Sequence, residues 1–201
     1  MRRIAIILLS IAALSVAVYA GDDKVPFKPG PAASYPTHQT LDKITIAAIP
    51  YVTEEQAKEA FGKVNPMKYG VLPVLVIFEN NTGKTLRLEL QAEYDDPGHR
   101  HIDATPASEV LYVGSSVKEP KLPGGSRPIP LPHRDKKGPL NTPEITTRAF
   151  AAKMLPDGDS AFGFFYFQTE PVPGSKIVIS GVKDAQSGKD YFFFEVPLDK
   201  P

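Results

Sequence analysis

The chain contains no cysteine and no tryptophan. The first absence removes disulfide frameworks, thiolate-bound zinc, iron–sulfur clusters, thiol nucleophiles and cysteine-linked lipid. The second removes the indole faces on which sugar-binding surfaces often rely. An excess of charge is missing as well: 23 Lys+Arg stand against 23 Asp+Glu, a formal net charge of 0. That balance takes away any strong electrostatic case for nucleic acid or an anionic membrane. Proline, by contrast, is plentiful. The 21 prolines among 201 residues amount to roughly twice the average usage, which argues against a helical bundle or coiled coil because proline breaks helix interiors.

The one long hydrophobic run lies at the start. In MRRIAIILLSIAALSVAVYA, Arg2 and Arg3 form a basic segment, and Ile4 to Val18 is apolar apart from Ser10 and Ser15. Val18 and Ala20 supply the small residues of a cleavage site between Ala20 and Gly21. This is the three-part pattern of a secretory signal peptide over residues 1–20, and the run is shorter than the roughly 20 apolar residues of a spanning helix. The expected mature chain begins at Gly21, is secreted or periplasmic, and has no transmembrane span. It loses two arginines, so 21 Lys+Arg face 23 Asp+Glu and the formal charge becomes −2.

Residues 21–39, with Pro26, Pro29, Pro31 and Pro36, read as an extended proline-rich arm. Residues 118–143 hold seven prolines and read as a long loop within a single domain spanning 40–201, with two domains divided at this segment as the alternative. Elsewhere short strands alternate with turns. VLPVLVIFE (71–79) is apolar on both faces, as suits a central buried strand. TLRLELQAEY (85–94) places Leu86, Leu88, Leu90, Ala92 and Tyr94 on one face. Asn80, Asn81, Thr82 and Gly83 between these runs predict a hairpin. Segments 145–155, 161–169, 175–182 and 191–198 are also of strand length, and in the last of them Phe192, Phe194, Val196 and Leu198 share a face. One helix is expected after Thr53, where Thr53 and Gln56 match a capping box, Glu54 and Glu55 occupy the first turn, and Gly62 ends the apolar set Ala57, Ala60 and Phe61.

About seven strands, one short helix and a long proline-rich loop make an all-β, immunoglobulin-like β-sandwich the expected fold. MLPDGDSAFGFFYFQ (154–168) followed by GSKIVISGVKDAQSGKDYFFFEVPL (174–198) resembles the end of secreted bacterial immunoglobulin-like sandwich domains of unknown function. The resemblance covers roughly the last quarter of the chain. It implies a fold and carries no catalytic motif with it.

Chemistry-bearing patterns are sparse. His99, His101 and Asp103 in HRHID would line one face of a strand, a row suited to zinc, copper or nickel; a solvated polar strand or turn accounts for the same residues. Gly158-Asp159-Ser160 resembles the nucleophile block of GDS-type esterases, but no histidine follows His133 to act as base, and a β-turn explains the tripeptide better. P-loop, dinucleotide and H-E-x-x-H motifs do not occur, so no cofactor is expected. The basic loop residues Lys118, Lys121, Arg127, Arg134, Lys136 and Lys137, and the segment PIPLP, could dock on an acidic partner or an aromatic groove, but a solvated loop accounts for the same residues and is the favoured reading. The expectation is therefore a non-enzymatic binding or interaction module of the cell envelope, whose partner is another envelope or extracellular protein and involves no nucleic acid. A metal-binding envelope protein using His99 and His101 is the alternative, and a small secreted hydrolase is the third.

Overall fold

In the computed structural model, residues 27–114 and 138–199 are described. The expected signal peptide, its Ala20–Gly21 cleavage site and most of the 118–143 loop lie outside them. The chain is mostly β, in two antiparallel sheets packed face to face. Sheet A has the order β1 (His38–Leu41), β2 (Ile44–Pro50), β3 (Leu72–Asn80), β7 (Ser160–Phe167). Sheet B has the order β5 (His101–Asp103), β4 (Leu86–Asp95), β8 (Lys176–Asp184), β9 (Phe193–Pro197), with β6 (Met154–Leu155) pairing the other end of β4.

The two-sided apolar pattern of β3 explains its place. It lies between β2 and β7, and each face enters a different core. Leu72, Val74, Val76 and Phe78 meet sheet B together with Ile44, Ile46, Leu88, Tyr94, Ile177, Ile179, Phe194 and Val196. Leu75 and Ile77 face the other way, into a second cluster with Phe61, Val110, Leu140, Ile145, Phe164 and Tyr166. That second cluster is closed by α1 (Glu54–Phe61), α2 (Ala107–Val110) and α3 (Pro143–Thr147). The molecule therefore has three layers, and sheet A is the middle one.

Helix α1 follows the sequence closely. The Thr53 side chain accepts from the Gln56 amide, the Gln56 side chain accepts from the Thr53 amide, and Gly62 ends the helix at φ 68°. Residues 27–37 lie along the second cluster, to which Phe27, Ala32 and Tyr35 contribute, and the Ala32 amide donates to Glu79 Oε1 at 2.8 Å.

Four details depart from the sequence reading. The Asn80–Lys84 turn joins no hairpin, because β3 already has β2 and β7 on its two edges; the chain crosses to sheet B instead. Asn80, fully buried, holds this crossing. Its amide nitrogen donates to the carbonyls of Lys84, Leu155 and Pro156, and its oxygen accepts from the amide and hydroxyl of Thr82. Segment 145–155 is not one strand: Pro143 and Glu144 open α3, residues 148–150 bond to the edge of β7, and only Met154–Leu155 is strand. Phe192 leaves the core face because its φ is 63°. Finally, the described residues hold nine strands and two additional short α-helices, against the roughly seven strands and one helix expected.

Both sides of the sandwich are partly closed. On one side β1 approaches β9. On the other, Ala104 donates to the Ala92 carbonyl and Thr105 to the Tyr166 carbonyl, linking β4 to β7.

Candidate functional site: the outer face of sheet B

Sheet A is covered on both faces. The outer face of sheet B carries no further layer among the described residues, and strand register sets its side chains in rows. Phe193, Ser180 and Gln91 form the first row. Glu195, Val178, Glu93 and Asp103 form the second. Pro197, Lys176, Asp95 and His101 form the third. Neighbours within a row are about 4.8 Å apart and rows about 6.8 Å apart.

At the first-row end the face opens into a groove of about 570 Å³ lined by Glu89, Gln91, Ser180, Gly181, Lys183, Asp190, Phe192 and Phe193. Gly181, at φ 84°, reverses the alternation of β8, so that Ile179 and Val182, three positions apart, both face the core. A Cβ there would collide with the Glu89 carbonyl oxygen. Beside this floor Phe192 is 76% exposed and Phe193 55% exposed. A left-handed backbone is costly for a bulky residue, on the order of 1–3 kcal/mol. Here it is held by the Phe192 amide donating to Asp190 Oδ1 at 2.7 Å. The aromatic rim of this groove is not legible in the sequence as a site, since simple alternation assigns Phe192 to the core.

The rest of the face is charged and cross-linked. Lys183 reaches Glu89 at 2.9 Å, and Lys176 reaches Glu195 at 3.0 Å and Asp95 at 3.4 Å. The hydrogen bond it donates to Glu195 holds the Lys176 ammonium above its ordinary pKa, and the one donated by Lys183 holds the Glu89 carboxyl below its own. Exposed pairs of this kind add little to stability. They fix where the charges stand.

The expected histidine row is divided by the backbone. His101 and Asp103 lie on β5, opposite Asp95 and Glu93. His99 lies outside the strand, in a turn with φ 62°, where its amide donates to the Asp96 carbonyl. The common strand face expected for His99 and His101 is therefore absent, because Asp96 curls residues 96–100 into a tight loop: Oδ1 accepts from the Arg100 amide and Oδ2 from its guanidinium. His101 Nδ1 meets Glu93 Oε1 at 2.6 Å and Asp95 Oδ1 at 3.5 Å. Among the described residues no group of three or more His, Asp and Glu side chains is arranged to hold a metal ion. Residues 156–159 form a turn that enters β7 at Ser160: the Asp159 amide donates to the Pro156 carbonyl, Gly158 has φ 77°, and the Asp159 carbonyl accepts from the Asn80 amide.

A second concavity of about 400 Å³ opens at one end of the sandwich, between Pro50, Val52, Leu72, Tyr94, Pro171, Pro173 and Leu198. The Tyr94 hydroxyl there is occupied within the fold, at 2.7 Å from Ser175 Oγ and accepting from the Val172 amide at 2.9 Å. No helix among the described residues is long and apolar enough to cross a membrane. Compared with known proteins, the chain matches no protein-family model and no curated protein.

Proposed function

We propose that the chain is an exported, non-enzymatic binding module of the cell envelope, an immunoglobulin-like sandwich whose bare sheet-B face docks another polypeptide. The observation that carries this reading is the Phe192–Phe193 pair: both rings stand in water, and the first is held there by an unfavourable backbone angle tied to Asp190. A fold that gains nothing from an exposed ring has no reason to retain that strain, whereas a docking surface uses exposed aromatics as anchors. The leader at 1–20 supports export. A photoreactive phenylalanine analogue at position 193, in protein exported with its own leader, tests the reading in intact cells. Defined adducts are expected at 193, lost in Phe192→Ser, and absent with the analogue at Leu41. Equal labelling at both positions, or none at 193, refutes it.

A further inference from the structure

The carboxylates of the sheet-B face outnumber its permanent cations. Glu89, Glu93, Asp95, Asp103, Asp190 and Glu195 stand against Arg87, Lys153, Lys176 and Lys183. The segment 118–137 has the opposite balance, with Lys118, Lys121, Arg127, Arg134, Lys136 and Lys137 against Glu119 and Asp135. Its ends are placed by the fold. The Gly138 amide donates to the Leu111 carbonyl at 2.8 Å, and Gly114 lies against Pro139 and Tyr69. Leu111, Val113 and Leu140 belong to the cluster on the far side of sheet A. The basic segment therefore leaves and re-enters the molecule on the face opposite the acidic one.

Chain length decides between self-contact and contact with a neighbour. Residues 115–137 must go out and come back, so half their contour reaches at most about 38 Å. The helical layer and two sheets stack to a depth of about 20–25 Å, and half the width of a four-stranded sheet adds about 10 Å more. A segment that circled its own molecule would have almost nothing left to lie along the face. A neighbour's face meets it directly.

Resting on the reading of sheet B as a docking surface, we infer that one partner of this face is a second copy of the chain. The occupant is its basic segment 118–137, whose charge is opposite to that of the carboxylate rows. The contact is head-to-tail, so unless the rotation closes it builds short chains rather than a symmetric dimer.

Sedimentation velocity of the mature protein, with fluorescence-anisotropy titration of a synthetic 118–137 peptide, tests this. Concentration-dependent association and peptide binding are expected at low salt. Both should weaken at least about tenfold near 1 M salt, where the screening length is about 3 Å. Glu195→Lys and, separately, Lys136→Glu/Lys137→Glu should each weaken association about tenfold, and the two changes together should restore much of it. Glu195 is exposed and outside the core, and an unchanged melting temperature establishes that each variant folds. Peptide binding that ignores Glu195→Lys overturns the inference. So does a protein that stays monomeric at low salt and leaves the peptide free. If that monomer still forms adducts through position 193 with a different envelope protein, the docking surface stands and the self-association falls.

Discussion

At the scale of single residues, two glycines show where backbone geometry leaves no choice. Gly163 lies where residues 148–150 cross the edge of β7, and a Cβ there would collide with the Phe150 backbone. Gly158 has φ 77° but open space around it. The same substitution therefore has two different costs. Gly163→Ala must push apart the bonds linking Phe150 to Phe164 and Phe164 to Arg148, and is expected to lose about 3 kcal/mol, the upper range for overpacking. Gly158→Ala meets only the left-handed backbone penalty, about 1 kcal/mol. Urea denaturation of the two variants side by side checks this; equal losses would show that the 148–150 crossing yields freely.

At the scale of elements, aspartates clamp the turns that join the strands of sheet B. Asp184, only 1% exposed, ends β8 and accepts from Lys84 Nζ at 2.6 Å and from the amides of Gln186 and Ser187. The Lys84 bond, followed by the Ser187 amide, holds its carboxyl well below the ordinary carboxylate range. A depressed native pKa gives stability that is fully present above the unfolded-state value, about 3.9, and is lost as pH falls through the native value. Asp184→Asn should therefore be less stable than the parent at neutral pH, with the gap narrowing as pH drops below about 4. Chemical denaturation at several pH values measures the gap, and one that stays constant on acidification refutes the assignment. These elements also show what a sequence reveals. The two-sided β3 and the Thr53–Gln56 cap were legible because the signals are local. The β3 crossing was not, because it depends on the edges of β3 already being taken by β2 and β7, the latter about ninety residues away. On the candidate site, the pairing of His101 and Asp103 on one face was legible from alternation alone. The exposure of Phe192 was not, since one positive φ overrides the alternation.

At the scale of the whole molecule, stability rests on non-covalent contacts alone, packing above all, since there is no cysteine to staple it. A domain of this size manages without disulfides because it buries roughly 70% of the surface its unfolded chain exposes. The arrangement of that burial has a consequence for cooperativity. Sheet A lines both clusters, and β7 alternates between them: Phe164 and Tyr166 face the helical layer while Phe167 faces sheet B. Loosening one cluster therefore disturbs strands that the other requires. Phe164, 1% exposed, packs its ring near Phe27, Tyr51 and Phe61 in the helical-side cluster; Phe194, fully buried, belongs to the inter-sheet cluster. Phe164→Ala and Phe194→Ala should each cost about 3–5 kcal/mol, and each should still unfold in one transition. Far-ultraviolet circular dichroism follows the sheets. In a Tyr94→Phe/Tyr191→Phe background, which removes the buried tyrosines of the inter-sheet cluster, the near-ultraviolet signal of tyrosine, with no tryptophan to obscure it, follows packing around Tyr51 and Tyr166. The two midpoints should coincide in both variants. If Phe164→Ala lost its tyrosine signal at lower denaturant while the sheet signal persisted, the helical layer would be an independent unit resting on a self-sufficient sandwich, and the shared middle sheet would not couple them.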